Sequence, residues 1–306
     1  MWGFEVELKK SIRTKKFWLI LVLILLVYAM AFREIRNNLE DVANPEGLLV
    51  ASLTGYIATS AFLFIGVYAL MAGATAVNSD LESGTVRIAL SKPVTRVYYL
   101  LGKFFGQVVS IVVAITFATL LSFAITKYYG LSLSTSLLSD LVLSNVLILF
   151  AMLQLLALGL LISTFVRSSN TAVGVALVIF FVTGLVMSQV VDNLAKDRVN
   201  AKFGIHSPRD FMKLTPDEKT AYQERLVEVK KEYHLRYLFY VPQVLMLDIF
   251  NDVDRITFHS DRTYTVEYLG VKHALSQNPV QTGVIAGLIP VYLVLALIRF
   301  KRMDLR

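Results

Sequence analysis

The chain has 306 residues, 56% hydrophobic and 17% charged, with a mean hydropathy of +0.60. A soluble domain of that size and composition would expose large apolar patches, so the chain reads as an integral membrane protein. The formal charge of +7 invites a nucleic-acid reading, which needs basic residues on a polar folded face, and the lack of cysteine excludes disulfides, thiolate metal sites and a cysteine nucleophile.

In residues 1–16, Phe4, Leu8 and Ile12 fall four apart, with Lys9, Lys10, Arg13, Lys15 and Lys16 around the other faces. This pattern fits a helix lying in the membrane interface, and equally a plain cationic flank to the first span. The apolar run Phe17–Phe32 has 16 residues and can be extended at both ends; a crossing needs about 20. Ala29-Met30-Ala31 imitates a signal-peptide cleavage site, but the apolar run passes beyond it, so the first span is expected to be retained. Five more runs follow: Tyr56–Val77, Phe104–Thr126, Leu141–Val166, Thr171–Val191 and Val280–Ile298, each of 19 to 26 residues. All can cross a bilayer as helices that satisfy their own backbone.

With the N-terminus inside, the cytoplasmic pieces carry 14 Lys and Arg against five acids, while the short outer loops carry only Arg33, Arg36 and Lys127. The positive-inside bias puts both termini in the cytoplasm and accounts for the net charge without nucleic acid. The predicted fold is therefore an all-α integral membrane protein of six transmembrane helices, with a small α/β outer subdomain between spans five and six. The expected boundaries are an interfacial helix over 1–16, spans one to five over 17–191, the outer subdomain over 192–279, and the last span with a basic tail over 280–306.

Residues 192–279 balance 13 cations with 13 acids. Thr215-Pro216-Asp217-Glu218 reads as a capping box with proline at the first helical position, and Tyr222, Leu226, Val229 and Tyr233 share one face of the helix it opens. A second short helix is expected over Gln243–Phe250. Alternation over Thr263–Tyr268 predicts a strand paired with one around Arg255–Phe258. Tyr233, Tyr237, Phe239 and Tyr240 suit the outer membrane surface.

Recognisable catalytic chemistry is absent from the sequence. Gly102-Lys103 lacks the earlier glycine and the following Ser or Thr of a Walker A loop. His206, His234, His259 and His273 match no metal spacing, and no Gly-x-Ser-x-Gly occurs. Lys103 and Asp140 fall near span ends, where snorkelling explains them. Gln107, Asn145, Gln154 and Gln189 sit deeper in the runs, as interhelical hydrogen bonds or as contacts along a translocation path. No buried carboxylate suggests an ion relay.

Between spans two and three lies a polar island. Gly84 allows a tight reversal, Val86 and Leu90 fall one turn apart, and Pro93 stops that helix. The helix presents Arg87, Lys92 and Arg96 to a soluble acidic partner, or it is a solvated basic loop that obeys the positive-inside rule. The string Glu82-x-Gly84-Thr85-Val86-Arg87, then Ala89-Leu90-Ser91-Lys92-Pro93-Val94-x-Arg96, then Leu101-Gly102-Lys103, resembles the cytoplasmic loop of ABC-2 type transporter permeases. Phe4-Glu5-Val6-Glu7-Leu8 through Lys15-Lys16-Phe17-Trp18 is similar to that family's start. The resemblance implies a permease, not itself an enzyme, in a prokaryotic-type inner membrane. It implies a homodimer or a heterodimer with a similar subunit, exporting substrate along a path lined chiefly by spans two and five. Small residues there (Gly66, Gly73, Gly174, Gly184) are expected to allow close helix approach. The implied partner is an ABC ATPase in two copies, which holds the ATP and magnesium; this chain binds no cofactor. Coupling then falls to Glu82, Gly84, Thr85, Arg87, Lys92, Pro93 and Arg96 in the loop 78–99. The alternative is a non-transporting membrane anchor or assembly factor whose outer domain binds a partner.

Overall fold

The apolar runs fold as helices in a computed structural model that describes residues 9, 12–38, 45–91, 94–128, 135–258 and 264–303. The amphipathic reading of the N-terminus lies largely outside those residues, as do Lys92 and Pro93. Helix α1 spans Lys15–Asn38. The second run begins well before Tyr56, as α2 (Pro45–Ser60), and continues through a π turn (Ala61–Ile65) into α3 (Gly66–Thr75). The island forms α4 (Asn78–Glu82) and α5 (Thr85–Leu90). Two unbroken helices follow, α6 (Arg96–Tyr128) and α7 (Thr135–Phe165). Span five is α8 (Ser169–Phe181), a second π turn (Val182–Met187) and α9 (Ser188–Phe203). The far-end segment then forms α10 (Pro208–Lys213), α11 (Pro216–Tyr237), α12 (Pro242–Phe250) and the strands β1 (Asp254–Phe258) and β2 (Tyr264–Tyr268). The chain closes with α13 (Val271–Gln277) and α14 (Pro279–Arg302).

Five of these helical stretches are long and apolar enough to cross a membrane: Leu53–Glu82, Arg96–Ile125, Leu138–Phe165, Ser169–Phe203 and Pro279–Arg302. A further apolar helix, Phe17–Met30, is shorter. Span five, Ser169–Phe203, does not stop at Val191 as expected. Ala195 and Val199 are buried against the Tyr222 and Val229 face of α11, which carries the helix on to Phe203. There Gly204, at φ +65, supplies the left-handed residue that ends it.

The stretches carrying α3 and α7 are the most deeply buried, and α8 and α14 the least. A Cβ on Gly73 would lie 2.3 Å from the Leu156 carbonyl oxygen, and one on Gly159 would lie 2.2 Å from that of Leu70. Spans two and four therefore touch backbone to backbone. Gly66 gives a looser version, facing Leu155 and Phe180 at 3.3 Å. Gly184 accommodates the Gln243 side chain rather than a helix, and Gly174 faces open space.

The far-end segment is built as its sequence suggests locally. Thr215 and Glu218 form the reciprocal capping box of α11, and β1 pairs with β2 antiparallel, Ile256 opposite Val266. Helix α12 is the exception. Leu245, Met246, Ile249 and Phe250 are buried in the main apolar core, where α12 packs against α2, α7 and α14. A nine-residue helix in the far-end segment thus plugs the bundle from that side.

Candidate functional site

The island takes its shape from Gly84. At φ +72, with nothing within 4 Å of a would-be Cβ, the glycine is required by backbone conformation and not by space. It reverses the chain between α4 and α5, with the Ser83 and Thr85 hydroxyls 2.8 Å apart across the turn. On α5, Val86 is fully buried while Ile88 is 60% exposed, so the short helix is anchored by one face and presents the other. The Arg87 side chain lies outside the described residues.

Asp80 and Lys103 are both buried, contrary to the snorkelling expected for Lys103. Lys103 Nζ lies 2.6 Å from Asp80 Oδ2, and the Tyr99 hydroxyl donates to the same oxygen at 2.6 Å. Lys103 also stands 5.6 Å over the Tyr99 ring. Burial in an apolar bundle favours this pairing, because an unpaired charge there would have no solvent to replace its partner. A buried carboxylate thus exists where none was expected, but it is held in an ion pair joining the start of α4 to α6.

Two further charged groups of the island, Glu82 and Arg96, are engaged with backbone. Glu82 Oε1 accepts the Ser169 N–H at 2.8 Å. That amide belongs to the first turn of α8, where helical N–H groups lack intrahelical partners and a negative charge suits the helix dipole. Arg96 Nη1 donates to the carbonyls of Phe300, Lys301 and Met303 at 3.1, 3.0 and 3.0 Å. These lie at the C-terminal end of α14, where unpaired carbonyls and a cation are the complementary match. Tyr99 stacks on Phe300, centroids 5.9 Å apart at 19°, reinforcing the same junction. Neither capping contact was foreseen from the sequence. Both acceptor and donor on the far side are main-chain groups, which carry no sequence signal.

The polar residues considered for a translocation path do not converge. Asn145 donates to Thr119 Oγ1 at 2.7 Å, an interhelical bond between spans three and four. Gln154 is fully buried and its Nε2 lies 3.4 Å from the Tyr240 carbonyl oxygen just before α12. Nine residues separate the two on one helix, which sets them on opposite faces at about 100° per residue. Gln107 is buried on α6. Gln189 is exposed and bonds along its own helix to Asn193 at 3.1 Å. It stands about 30 Å along the helix from Ser169, at the far edge of a hydrocarbon core and not in its depth.

At the far end, charges tie α11 to its neighbours. His234 Nδ1 lies 2.8 Å from Asp248 Oδ1 on α12, and its Nε2 faces Asp192 Oδ1 on α9 at 3.4 Å, an ion-pair separation. Burial lowers the affinity of His234 for a proton, but the hydrogen bonds and charges of Asp192 and Asp248 outweigh it and lift its pKa to about 9. Lys230 pairs with Asp192 at 3.1 Å. Lys231 pairs with Asp252, which also accepts from Asn278 Nδ2 at 2.6 Å where α14 begins. Asp140, the second residue expected to snorkel, instead accepts the Tyr268 hydroxyl at 2.8 Å from the strand pair.

These features describe a bundle with a structured polar island at one end and a tethered subdomain at the other, and among the described residues no catalytic constellation. A comparison with curated proteins gives no match. The sequence matches the ABC-2 family transporter proteins over residues 1–305, essentially end to end, and the chain therefore belongs to the ABC-2 family of transporter proteins, the membrane components of ABC transporters.

Proposed function

We propose that this chain is the membrane-spanning permease subunit of an ATP-binding cassette exporter. It crosses the cell membrane six times with both termini in the cytoplasm, and two separate ATPase subunits energise a dimer of such chains. The observation that carries the reading is the island: a short helix fixed by Val86 and reversed at Gly84, projecting from a chain that matches the family throughout. A helix held at its root and exposed on its outer face is the form in which a soluble partner can grip a membrane protein without disturbing the spans. The described cations at that end, Lys15, Arg167, Arg299, Lys301 and Arg302, support a cytoplasmic location by the positive-inside bias. Phe17–Met30 supplies the first of the six spans once the helical residues on either side are counted. The spans offer mainly Leu, Val and Phe faces, which suits an amphipathic or lipid-like cargo.

The test is purification of the tagged chain from its native membrane in mild detergent. A Walker A ATPase is expected to co-purify in equal amount, and Gly84→Val, which forces a β-branched side chain into a left-handed backbone position, is expected to lose it. Recovery of an outer-side partner with no ATPase would replace this reading with a non-transporting anchor.

A further inference from the structure

Glu82 and Arg96 bracket the docking helix, and each satisfies the backbone of a different span: Glu82 the first turn of α8, Arg96 the last turn of α14. An acid on a helix start and a base on a helix end both match the local partial charge, so each contact is directional. The island is also continuous with spans two and three, and the Asp80–Lys103 pair ties those two together. One short segment thereby holds four spans.

A second observation bears on what this grip does. Three of those spans have an interrupted α-helical ladder. Span two has the π turn Ala61–Ile65, span five the π turn Val182–Met187, and the last span Pro290 within α14. All three interruptions lie at a similar distance from the island end, about 18–27 Å at 1.5 Å per residue from Asn78, Ser169 and Arg302. Helices bend at such points, since a π turn or an interior proline breaks the regular bonding. By contrast α6 and α7 run unbroken for 33 and 31 residues.

We propose that Glu82 and Arg96 make the island, the start of span five and the end of the last span one rigid body, so that a partner pulling on the island moves spans two, five and six together. The motion is taken up at the π turns and at Pro290, about two-thirds of the way across. Arg96 is then a positioning residue: its guanidinium is held on the last turn of α14, and it acts by carrying the last span with the loop. Without it the island moves and the last span stays behind. This inference rests on the docking reading above.

The native chain has no cysteine, so spin labels can be placed in pairs without background from it, in complex with an ATPase whose own cysteines have been replaced. Tyr98 is 75% exposed, and Asn170 and Lys301 are exposed on the two gripped spans. Tyr98→Cys is combined with Lys301→Cys, and separately with Asn170→Cys, in the permease–ATPase complex in lipid nanodiscs, and distances are measured with and without ATP and magnesium. Both distances are expected to stay constant within about 2 Å, the span of small helix shifts. Arg96→Ala, with the complex still forming, is expected to make the 98–301 distance broad and ATP-dependent while 98–170 stays fixed; Glu82→Gln does the converse. Arg96→Lys, whose ammonium reaches the same carbonyls, restores part of the constancy. If the complex forms but either distance in the otherwise unaltered chain changes on ATP binding by about 5 Å, one helical turn, the rigid body does not exist and the inference falls alone. A complex that never forms overturns the docking reading and this inference with it.

Discussion

Two buried charge clusters set the residue-scale behaviour, one at each end. Asp80 and Lys103 share a site from which water is excluded, with side chains 10% and 4% exposed. The value of such a pair lies less in its attraction than in what remains when one member is lost. Asp80→Asn removes the described counter-charge of a buried ammonium and is expected to cost about 3–5 kcal/mol, whereas Asp80→Leu combined with Lys103→Met is expected to recover most of that loss. Thermal unfolding of the three variants in detergent checks the asymmetry. At the other end His234 is protonated at neutral pH, held by Asp192 and Asp248. Its folded pKa of about 9 exceeds the ordinary value of 6.5, so the imidazolium stabilises the native state fully below about pH 6.5. That contribution falls away as pH rises from there through about 9. The protection factors of α11 amides, with the intrinsic base-catalysed rate divided out, are expected to fall over this window, and His234→Gln to remove that fall while lowering stability at pH 6 as well.

At the scale of elements, glycines of similar sequence context divide by what surrounds them. Gly73 and Gly159 meet opposing backbone closer than any Cβ can approach, so Gly73→Ala must push spans two and four apart. The expected cost is about 3 kcal/mol, the upper end for overpacking, because the obstacle is main chain and cannot rotate away. Gly174→Ala, on an open helical face, is expected to stabilise by about 0.5–1 kcal/mol through reduced unfolded-state freedom. The two substitutions therefore shift the melting midpoint in opposite directions. Composition alone marked all four glycines of spans two and five as small; only the crossing of particular helices separates them. The spans themselves were legible because a bilayer imposes length and hydrophobicity on each one separately. The π turns were not, since Ala61–Ile65 and Val182–Met187 carry no proline and no pattern that sets them apart from the α-helical runs on either side. Helix α12 was read as a short helix but not as part of the bundle, because nine residues are too few to announce membrane depth.

For the molecule as a whole, the short helix α5 was legible from Gly84 and the apolar spacing, while the connections of the island around it were not. Lys103 reaches Asp80 only because the chain reverses between them, and Arg96 and Glu82 bind main-chain atoms some 200 and 87 residues away. The same blindness affected the far-end subdomain. Its sequence suggested a small separate subdomain, and Ala195, Val199, Tyr222 and Val229 do form a core within it. Yet α12 belongs to the core of the spans, α9 continues span five, and Asn278 and Asp252 join the subdomain to the start of the last span. Elements shared between two cores cannot leave one without disrupting the other, so unfolding should be a single event. Ala157 in span four and Val229 in α11 are both buried, and in a chain without native cysteine Ala157→Cys and Val229→Cys each report opening through reaction with a thiol dye. The two midpoints are expected to coincide. Adding Ile249→Ala, a large-to-small change in α12 expected to cost about 2–5 kcal/mol, should lower both by the same amount. If the Val229 reporter instead melts first and Ile249→Ala moves only the Ala157 reporter, the subdomain is an independent lid and its ties to the spans carry no stability.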